Sequence, residues 1–515
     1  MAVRKAGADP LFLGALALAV AIFAIASFDA VVETDAGFHV AIGRLVLHSG
    51  IPRTNALSWI ARDQPWYPNA WLFDAAAAAL HDRLGPLGLQ LLTFALGLCA
   101  LLLTNLLLRF YDPAGPLLLP AIALLLEGRL RPRPHVASWV CIAAVLLLCL
   151  TGRRRLRWAC LPLLILFGNL HAGAAFAAGI AGLFFLEAAW KERSWRELSG
   201  AALAGLALLV NPGGLYNLWY FAAHLGVQEV VPLREFGLPR WPGSALFVLA
   251  AAGCLVPCWR RRREQPALSA AVFCFALLGT FTVRTQNEFF LVAAPWLGEL
   301  PALIEHKLAA RAARLFAALA LLLAALQMSY GQRLAALDLG PRFDSATLPV
   351  RAARYVADKG LTGPHFNSFD DGGYLAAALP AVPVFIDGRV QAYPNALWQR
   401  LIAAQRSPAA FDGMLRETGS EWALVLRREA FFTGNGLLDA QPGWALVYWD
   451  GLSEIFVRRD VQRWAPLIAS DELHFLWPSG IHAGPADRVR AEADRLLIYS
   501  PDDPLLLSAR ALAGR

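Results

Sequence analysis

Residues 11–39, LFLGALALAVAIFAIASFDAVVETDAGFH, set a long apolar run directly before an acidic segment. About 20 apolar residues are enough for a helix to cross the hydrocarbon core of a bilayer. Glu33, Asp35 and His39 then lie where this helix leaves the membrane. Ionisable groups beside a bilayer are costly unless they have partners or water, so these residues predict a functional site. The alternative is that Asp29, Glu33 and Asp35 are only the hydrated end of the helix.

The whole chain has the composition of a membrane protein. Of its 515 residues, 57% are hydrophobic and 17% are charged, and the mean hydropathy is +0.47. The net charge of +7 would suggest a nucleic-acid partner in a soluble protein. Here the excess lies largely in short basic loops between apolar segments, which indicates membrane topology instead. We therefore expect a polytopic helical membrane protein that binds no nucleic acid.

Apolar segments along the first two thirds of the chain predict about eleven transmembrane helices. They lie near residues 11–31, 86–108, 115–127, 135–151, 158–170, 172–190, 198–211, 244–259, 266–283, 288–304 and 312–330. Ala24-Ile25-Ala26 resembles a signal-peptidase site, but the apolar run continues past it. We therefore expect the first span to be retained.

Basic loops alternate with loops of other chemistry between these segments. The positive-inside rule places the basic set, such as 153–157 and 260–263, in the cytoplasm together with the N-terminus. The other set then lies on the outer face: the first outer loop, 32–85, the loops near 127–135, 169–171, 211–240 and 284–288, and everything after residue 331. Most of the chemically interesting side chains thus fall on one face of the membrane.

Two of these outer loops carry arginines that fit a phosphate group. Arg131 and Arg133 belong to the basic run 129–135, and Arg284 stands in the loop 284–288. Arginine forks match phosphate oxygens bidentately. The alternative for the run 129–135 is an interfacial loop whose side chains snorkel to water.

Other outer-loop residues are candidates for ligand contacts. His171 lies beside Asn169 between two apolar segments, so a ligand or acid–base role and a packing role remain open. The first outer loop adds Trp66, Asn69 and Trp71 as acceptor-binding or loop residues. The seven cysteines all lie in or beside apolar segments without zinc-site spacing, and we expect them to be packing residues.

The composition changes after residue 331. We expect a transmembrane domain over 1–330, an extracytoplasmic α/β domain over 331–460, and a helical tail over 461–515 like one tetratricopeptide-type hairpin. Within the α/β domain the pattern predicts an amphipathic helix over 342–360 and helices over 394–406 and 408–418. It predicts strands over 382–389, 421–426, 444–449 and 453–458. Neither the dinucleotide-binding pattern nor the phosphate-loop pattern is present.

Several of these motifs, taken in order, resemble a known superfamily. Glu33-Thr34-Asp35-Ala36-Gly37-Phe38-His39, followed by Gly43-Arg44, Gly50-Ile51-Pro52-Arg53-Thr54 and Trp71-Leu72, resembles the start of bacterial polytopic proteins related to the GT-C glycosyltransferases. That superfamily includes the protein O-mannosyltransferases and the lipid A aminoarabinose transferases. Arg131-Pro132-Arg133-Pro134, Asn169-Leu170-His171-Ala172-Gly173 and Asn211-Pro212-Gly213 resemble its later outer-loop motifs. Gly372-Gly373-Tyr374 with Val384-Phe385-Ile386-Asp387-Gly388-Arg389 resembles the start of its extracytoplasmic domain.

The resemblance implies a donor and a set of catalytic residues. The donor would be a polyprenyl-phosphate-linked sugar, and Asp35 would be the base that deprotonates the acceptor hydroxyl. Glu33 would orient Asp35 or bind a divalent metal, and His39 belongs to the same catalytic segment. Arg131, Arg133, His171 and Arg284 would stabilise the phosphate leaving group. Glu33 stands where an aspartate is expected, so metal dependence is left open.

The expected function is therefore a GT-C-like glycosyltransferase of the bacterial inner membrane, acting on the outer face with inversion of the sugar. The acceptor is a glycan, a lipid or a protein. A lipid-linked glycan polymerase or ligase is the first alternative, since it would share the basic loops without needing the acidic base. A non-catalytic transporter or assembly scaffold is the second. Charges at the span ends and the lack of a visible repeat count against transport.

Overall fold

The computed structural model describes residues 10–216, 238, 244–300, 338–428 and 432–512. The helices, in chain order, are α1 (Pro10–Phe28), α2 (Ala36–Ser49), α3 (Trp71–Leu84), α4 (Pro86–Leu108), α5 (Leu119–Glu127), α6 (His135–Leu150), α7 (Arg154–Trp158), α8 (Cys160–Gly168), α9 (Ala174–Glu192), α10 (Trp195–Leu206), α11 (Ala245–Arg261), α12 (Pro266–Phe281), α13 (Gln286–Glu299), α14 (Val350–Lys359), α15 (Phe369–Ala378), α16 (Asn395–Ala404), α17 (Pro408–Thr418), α18 (Ala465–Asp471), α19 (Ala486–Leu497) and α20 (Pro504–Leu512). The strands are β1 (His365–Asn367), β2 (Trp422–Leu426), β3 (Trp444–Trp449), β4 (Ser453–Arg458), β5 (Leu476–Trp477) and β6 (Gly480–Ile481).

The chain forms two compact units. The helical unit comprises Met1–Val31 and Pro68–Arg342, and the mixed unit comprises Val32–Tyr67 and Phe343–Arg515. The segment Val32–Tyr67, with the acidic residues and α2, therefore packs with the C-terminal part of the chain. This division differs from the boundary expected near residue 330, which left the first outer loop with the transmembrane domain.

Helices occupy the predicted apolar segments throughout the described part of the helical unit. The segment predicted at 312–330 lies outside the described residues. Among the described helices, α1, α4 and α9 are long and apolar enough to cross a bilayer, and the apolar α6 and α12 are shorter. The total of eleven spans stays a prediction.

The core of the helical unit surrounds α13, whose residues are all buried. Trp296 of α13 stacks on Tyr111 at a ring-centroid distance of 5.0 Å. A Cβ atom placed on Gly298 or on Gly115 would lie 2.1 Å from the Leu108 carbonyl oxygen. These two glycines therefore allow the backbones to approach closely, which is how helices commonly pack in membranes.

The mixed unit contains a four-stranded sheet in the order β1-β2-β4-β3. Strand β1 runs parallel to β2, and the other neighbours are antiparallel. All residues of β2 and β3 are buried, as expected for strands that are covered on both faces. The strands predicted over 421–426, 444–449 and 453–458 and the helices predicted over 394–406 and 408–418 are present. In the tail, α19 and α20 pack on each other, and Val489, Ala493 and Leu506 are among their buried residues.

Two sequence predictions for this unit were wrong in detail. The segment 382–389 is not a strand, because Pro383 has no N–H to donate to a ladder. Within this segment only Val384 forms a bridge, to Ser58, and the first strand of the sheet is β1 at His365–Asn367. Helix α14 begins at Val350 rather than at 342, directly after Pro349.

Glu454 is a buried acid within β4. Its side chain is almost fully enclosed, and its Oε1 lies 3.5 Å from Nε of Arg427. Burial, reinforced by the Asp439 carboxylate and opposed by Arg427, raises the pKa of Glu454 from 4.5 to about 7. The folded protein therefore binds this proton more tightly than the unfolded chain does. Its contribution to stability is greatest below pH 4.5 and is lost as the pH rises towards 7.

Glu454→Gln is expected to remove this pH dependence. A pKa difference of this size corresponds to about 3 kcal/mol, so the variant should gain up to that amount over wild type at pH 8 and little at pH 4.5. The measurement is the thermal unfolding midpoint of the full-length protein across this pH range. The matched control is Glu417→Gln, which changes an exposed acid in the same unit. Its unfolding midpoint should differ from that of wild type by the same amount at every pH. An equal shift at every pH for Glu454→Gln would contradict the assignment.

Candidate functional site

The acidic segment lies at the start of α2 in the mixed unit. Asp35 occupies the N-cap position, and its backbone N–H donates to Glu33 Oε1 at 3.2 Å. Residues 36–43 of α2 are buried, including His39, whose ring lies 4.3 Å from that of Phe38. Negative side chains are favoured beside a helix N-terminus. The structure thus brings Glu33, Asp35 and His39 together around one helix end.

Glycines of the C-terminal part of the mixed unit enclose this segment. A Cβ atom on Gly373 would lie 2.2 Å from the Thr34 carbonyl oxygen, and one on Gly388 would lie 2.2 Å from Asp35 Oδ1. A Cβ atom on Gly37 would in turn lie 2.1 Å from the Gly373 carbonyl oxygen. The backbone at Thr34 and Gly37 therefore contacts α15, and the side chain of Asp35 contacts the turn at Gly388.

The loop that follows α2 is attached to the same part of the mixed unit. Ser58 Oγ donates to the Phe385 carbonyl oxygen at 3.0 Å, and Trp59 Nε1 donates to the His365 carbonyl oxygen at 2.9 Å. Trp66 is buried, and the Arg389 guanidinium lies 4.7 Å from its ring centroid. Trp66 therefore has a cation–π partner in the C-terminal part of the unit.

Arg389 belongs to a buried ion pair beside the acidic segment. Its Nε and Nη2 donate to the two oxygens of Asp387 at 2.9 and 2.6 Å, and Nη2 also donates to Asn55 Oδ1 at 2.8 Å. Both charged side chains are almost fully buried. Burial, the largest single influence, lowers the pKa of Arg389, but Asp387 and Tyr393 together outweigh burial and hold that pKa above its usual range. The pair therefore links the two ends of the turn 387–389.

Three loops of the helical unit meet around Arg129. Its Nη1 donates to the Arg284 carbonyl oxygen at 2.7 Å, and its own carbonyl oxygen lies 2.7 Å from His135 Nε2. Ser138, one turn along α6, contacts His171 Nδ1 at 2.7 Å. We call residues 129–135, His171 and Arg284 the basic loop cluster. The structure thus brings the loops of Arg131, Arg133, His171 and Arg284 together.

The hydrogen bonds of His171 define which ring nitrogen carries its proton. The Gly173 backbone N–H donates to His171 Nδ1 at 3.0 Å. In the neutral ring Nδ1 is therefore an acceptor and the proton lies on Nε2. The Ser138 hydroxyl oxygen lies 2.7 Å from the same Nδ1. The acidic proton of a neutral His171 is consequently at Nε2.

Asn69, Trp71 and Asn169 form a second cluster in the helical unit. Trp71 Nε1 donates to Asn169 Oδ1 at 2.6 Å, and Asn169 Nδ2 donates to the carbonyl oxygens of Ile165 and Val210, both at 2.8 Å. Asn211 Nδ2 lies 3.4 Å from the Asn69 carbonyl oxygen. Asn169 thus uses its amide to join three segments of the chain.

The predicted site residues belong to both units. Glu33, Asp35, His39 and Trp66 lie in the mixed unit, whereas Arg131, Arg133, His171, Arg284, Asn69, Trp71 and Asn169 lie in the helical unit. Within the described residues, no three His, Cys, Asp or Glu side chains are placed so that they could hold a metal ion. Glu33 and Asp35 therefore have no third protein ligand of these types in the described part of the chain.

Sequence reasoning missed several residues that organise these clusters. Glu288 is buried with the Trp139 indole N–H 3.4 Å from its Oε1, and Ser138 orients His171. Ser138 follows His135 by three residues, a spacing that places both on one helix face. The partnership of Arg389 with Trp66 and Asn55 had no signal in the sequence, because it joins distant segments.

No protein-family model matches the chain, and no curated protein matches it. Solved structures do. The apo oligosaccharyltransferase of Archaeoglobus fulgidus is 12% identical, with 87% of this chain and 74% of that chain covered and a TM-score of 0.53. ArnT of Cupriavidus metallidurans bound to undecaprenyl phosphate is 13% identical, with 88% and 99% covered and a TM-score of 0.51. Apo ArnT is 15% identical, with 86% and 97% covered and a TM-score of 0.50.

These structures are members of the GT-C superfamily of membrane glycosyltransferases. At this level of identity the similarity concerns the fold. The chain therefore shares the fold of these oligosaccharyltransferase and ArnT structures, which is the fold that the sequence resemblance implied.

Proposed function

We propose that the protein is a membrane glycosyltransferase that moves a sugar from a polyprenyl phosphate to an acceptor on the extracytoplasmic face of the bacterial inner membrane. The observation that carries the proposal is the GT-C fold over most of the chain, shared with an ArnT structure that holds undecaprenyl phosphate. The proposed orientation of the protein in the membrane follows from the alternation of basic loops in the sequence. The mixed unit is then extracytoplasmic.

The basic loop cluster is the proposed site for the donor phosphate. Arg131, Arg133 and Arg284 supply guanidinium groups that fit phosphate oxygens, and His171 supplies an Nε2 proton. Arg129 supports the site by bonding to the Arg284 carbonyl oxygen at 2.7 Å. Positive charge held in place in this way stabilises the phosphate as it leaves the sugar.

Asp35 is the proposed catalytic base. It takes the proton of the acceptor hydroxyl while the acceptor oxygen attacks the anomeric carbon and the bond to the donor phosphate breaks. A single direct displacement inverts the anomeric centre. Glu33 accepts a hydrogen bond from the Asp35 backbone N–H and so orients the segment. His39 completes the proposed catalytic set. Its backbone N–H donates to the Asp35 carbonyl oxygen at 3.3 Å.

Binding of undecaprenyl phosphate to the purified full-length protein in nanodiscs tests the donor site. Wild type should bind saturably, and the double variant Arg131→Ala/Arg284→Ala should lose at least about tenfold in affinity, since one charge-assisted hydrogen bond contributes about 1.5–3 kcal/mol. Uncharged undecaprenol should show no such difference between the two proteins.

The matched control is Arg153→Ala/Arg155→Ala, which removes the same charge from a basic loop predicted on the other face. Its affinity for undecaprenyl phosphate should equal that of wild type. Equal losses of affinity in the two double variants would show that binding depends on net charge and not on the basic loop cluster. If folded wild type binds no polyprenyl phosphate, the donor premise fails and the scaffold or transporter alternative takes its place.

A further inference from the structure

We infer that Gly388 and Gly373 are positioning residues for Asp35, so that the C-terminal part of the mixed unit sets the direction of this carboxylate. The contacts themselves stand on the geometry alone. Only the catalytic meaning of the inference rests on the proposed function.

Gly388 lies against the carboxylate itself. A Cβ atom at this position would be 2.2 Å from Asp35 Oδ1, 3.2 Å from its Cγ and 3.5 Å from Phe38 Cε1. Real Cβ atoms do not approach an oxygen so closely, and the nearest atom is the end of a flexible side chain. An alanine at 388 would therefore turn the Asp35 carboxylate away and leave the backbone where it is.

The turn that carries Gly388 is held firmly. The Arg389 backbone N–H donates to Asp387 Oδ1 at 2.9 Å, and the Val390 N–H donates to the Gly388 carbonyl oxygen at 3.0 Å. The Asp387–Arg389 ion pair adds two side-chain hydrogen bonds. A turn that is held by several hydrogen bonds can define the position of a side chain that packs against it.

Gly373 packs against the backbone of Thr34 and Asp35. A Cβ atom there would lie 2.2 Å from the Thr34 carbonyl oxygen and 3.5 Å from Asp35 Cα. The neighbouring Gly372 is packed in turn against the Ile386 carbonyl oxygen, 1.8 Å from its ideal Cβ position. Two glycines therefore restrain Asp35 separately, Gly373 through its main chain and Gly388 through its side chain.

The test compares wild type with Gly388→Ala and with Gly413→Ala, a glycine of α17 that has nothing within 4 Å of its Cβ position. The first readout is modification of carboxylates by a water-soluble carbodiimide and glycine ethyl ester over a range of pH. Mass spectrometry of the peptides quantifies Asp35 and the exposed Asp487. Gly388→Ala should change the rate and pH profile at Asp35 and leave Asp487 unchanged. Gly413→Ala should change neither.

The second readout is kinetic. A displacement of the base by about 1 Å can cost about 100-fold in rate, so Gly388→Ala should lower kcat by that order while the donor KM stays at the wild-type value. A merely structural role would reduce the amount of active protein and leave the Asp35 pH profile unchanged. If wild type transfers no sugar and Gly388→Ala still alters the pH profile of Asp35, the proposed function is rejected and the positioning role is retained.

A double-mutant cycle covers the case in which Gly388→Ala is unstable. If the alanine disturbs the fold through the Asp35 carboxylate, it lowers the unfolding midpoint in wild type and does not lower it in the Asp35→Ala background. An equal decrease in both backgrounds overturns the inference. So does a folded Gly388→Ala protein with wild-type modification of Asp35 and wild-type kcat.

Discussion

Asp35→Asn is expected to abolish sugar transfer while the protein folds and binds its donor lipid as wild type does. Asparagine has nearly the same shape as aspartate, so the contacts of Asp35 with Gly373 and Gly388 are kept. It cannot accept the proton of the acceptor hydroxyl. Because a positioned general base contributes about 10²–10⁴-fold to rate, kcat should fall by at least the lower of these factors. The measurement is sugar transfer from an undecaprenyl-phosphate-linked sugar.

The matched control is Asp63→Asn, which changes an exposed carboxylate in the same segment of the mixed unit. It should retain the wild-type kcat. Equal binding of undecaprenyl phosphate by Asp35→Asn and wild type separates loss of chemistry from loss of the donor site. Full activity in Asp35→Asn would remove the base from the mechanism and would favour the polymerase or ligase alternative, which needs no such carboxylate.

Arg389→Ala is expected to have the largest effect on the stability of the mixed unit. The substitution leaves the Asp387 carboxyl group buried and without its bidentate partner, and it removes the donor to Asn55. Breaking a buried ion pair in this way costs about 3–5 kcal/mol. The loss of the contact with the Trp66 ring adds to this cost. Unfolding of the full-length protein, followed by tryptophan fluorescence, measures the effect.

Arg416→Ala provides the comparison, since Arg416 pairs with Asp412 at 2.9 Å on the surface of the same unit. Exposed pairs contribute about 0–1 kcal/mol, so this variant should unfold close to wild type. The double variant Asp387→Asn/Arg389→Ala should recover part of the stability, because no buried charge is then left unpaired. Similar small losses for Arg389→Ala and Arg416→Ala would show that the buried pair contributes little.

Much of the local structure was predictable because local patterns encode it. The apolar periods placed α6 and α12 within a few residues, and the strands at 444–449 and 453–458 were placed without error. The segment 382–389 was mistaken for a strand, since its apolar residues look like one and only the missing N–H of Pro383 argues against it. Composition alone could not reveal that Val384 bridges to Ser58.

The candidate site was predictable in its residue types and only partly in its arrangement. The outer-loop motifs indicated Asp35 and the arginines, and the loops of the arginines meet in the helical unit. The packing of residues 32–67 with the C-terminal part was not predictable, because no local pattern encodes such a distant contact. The need for glycine at 373 and 388 likewise depends on atoms of Thr34 and Asp35 that only the folded chain brings near.

The attachment of Ser58 to Phe385 has a consequence for biosynthesis. These residues are 327 positions apart, so residues 32–67 leave the ribosome long before the strands and helices that they pack against exist. Such non-local contacts form late and slowly. The acidic segment therefore lacks its packing partners until the last third of the chain has been synthesised. A nascent or truncated chain carries Asp35 without the residues of the C-terminal part that contact it.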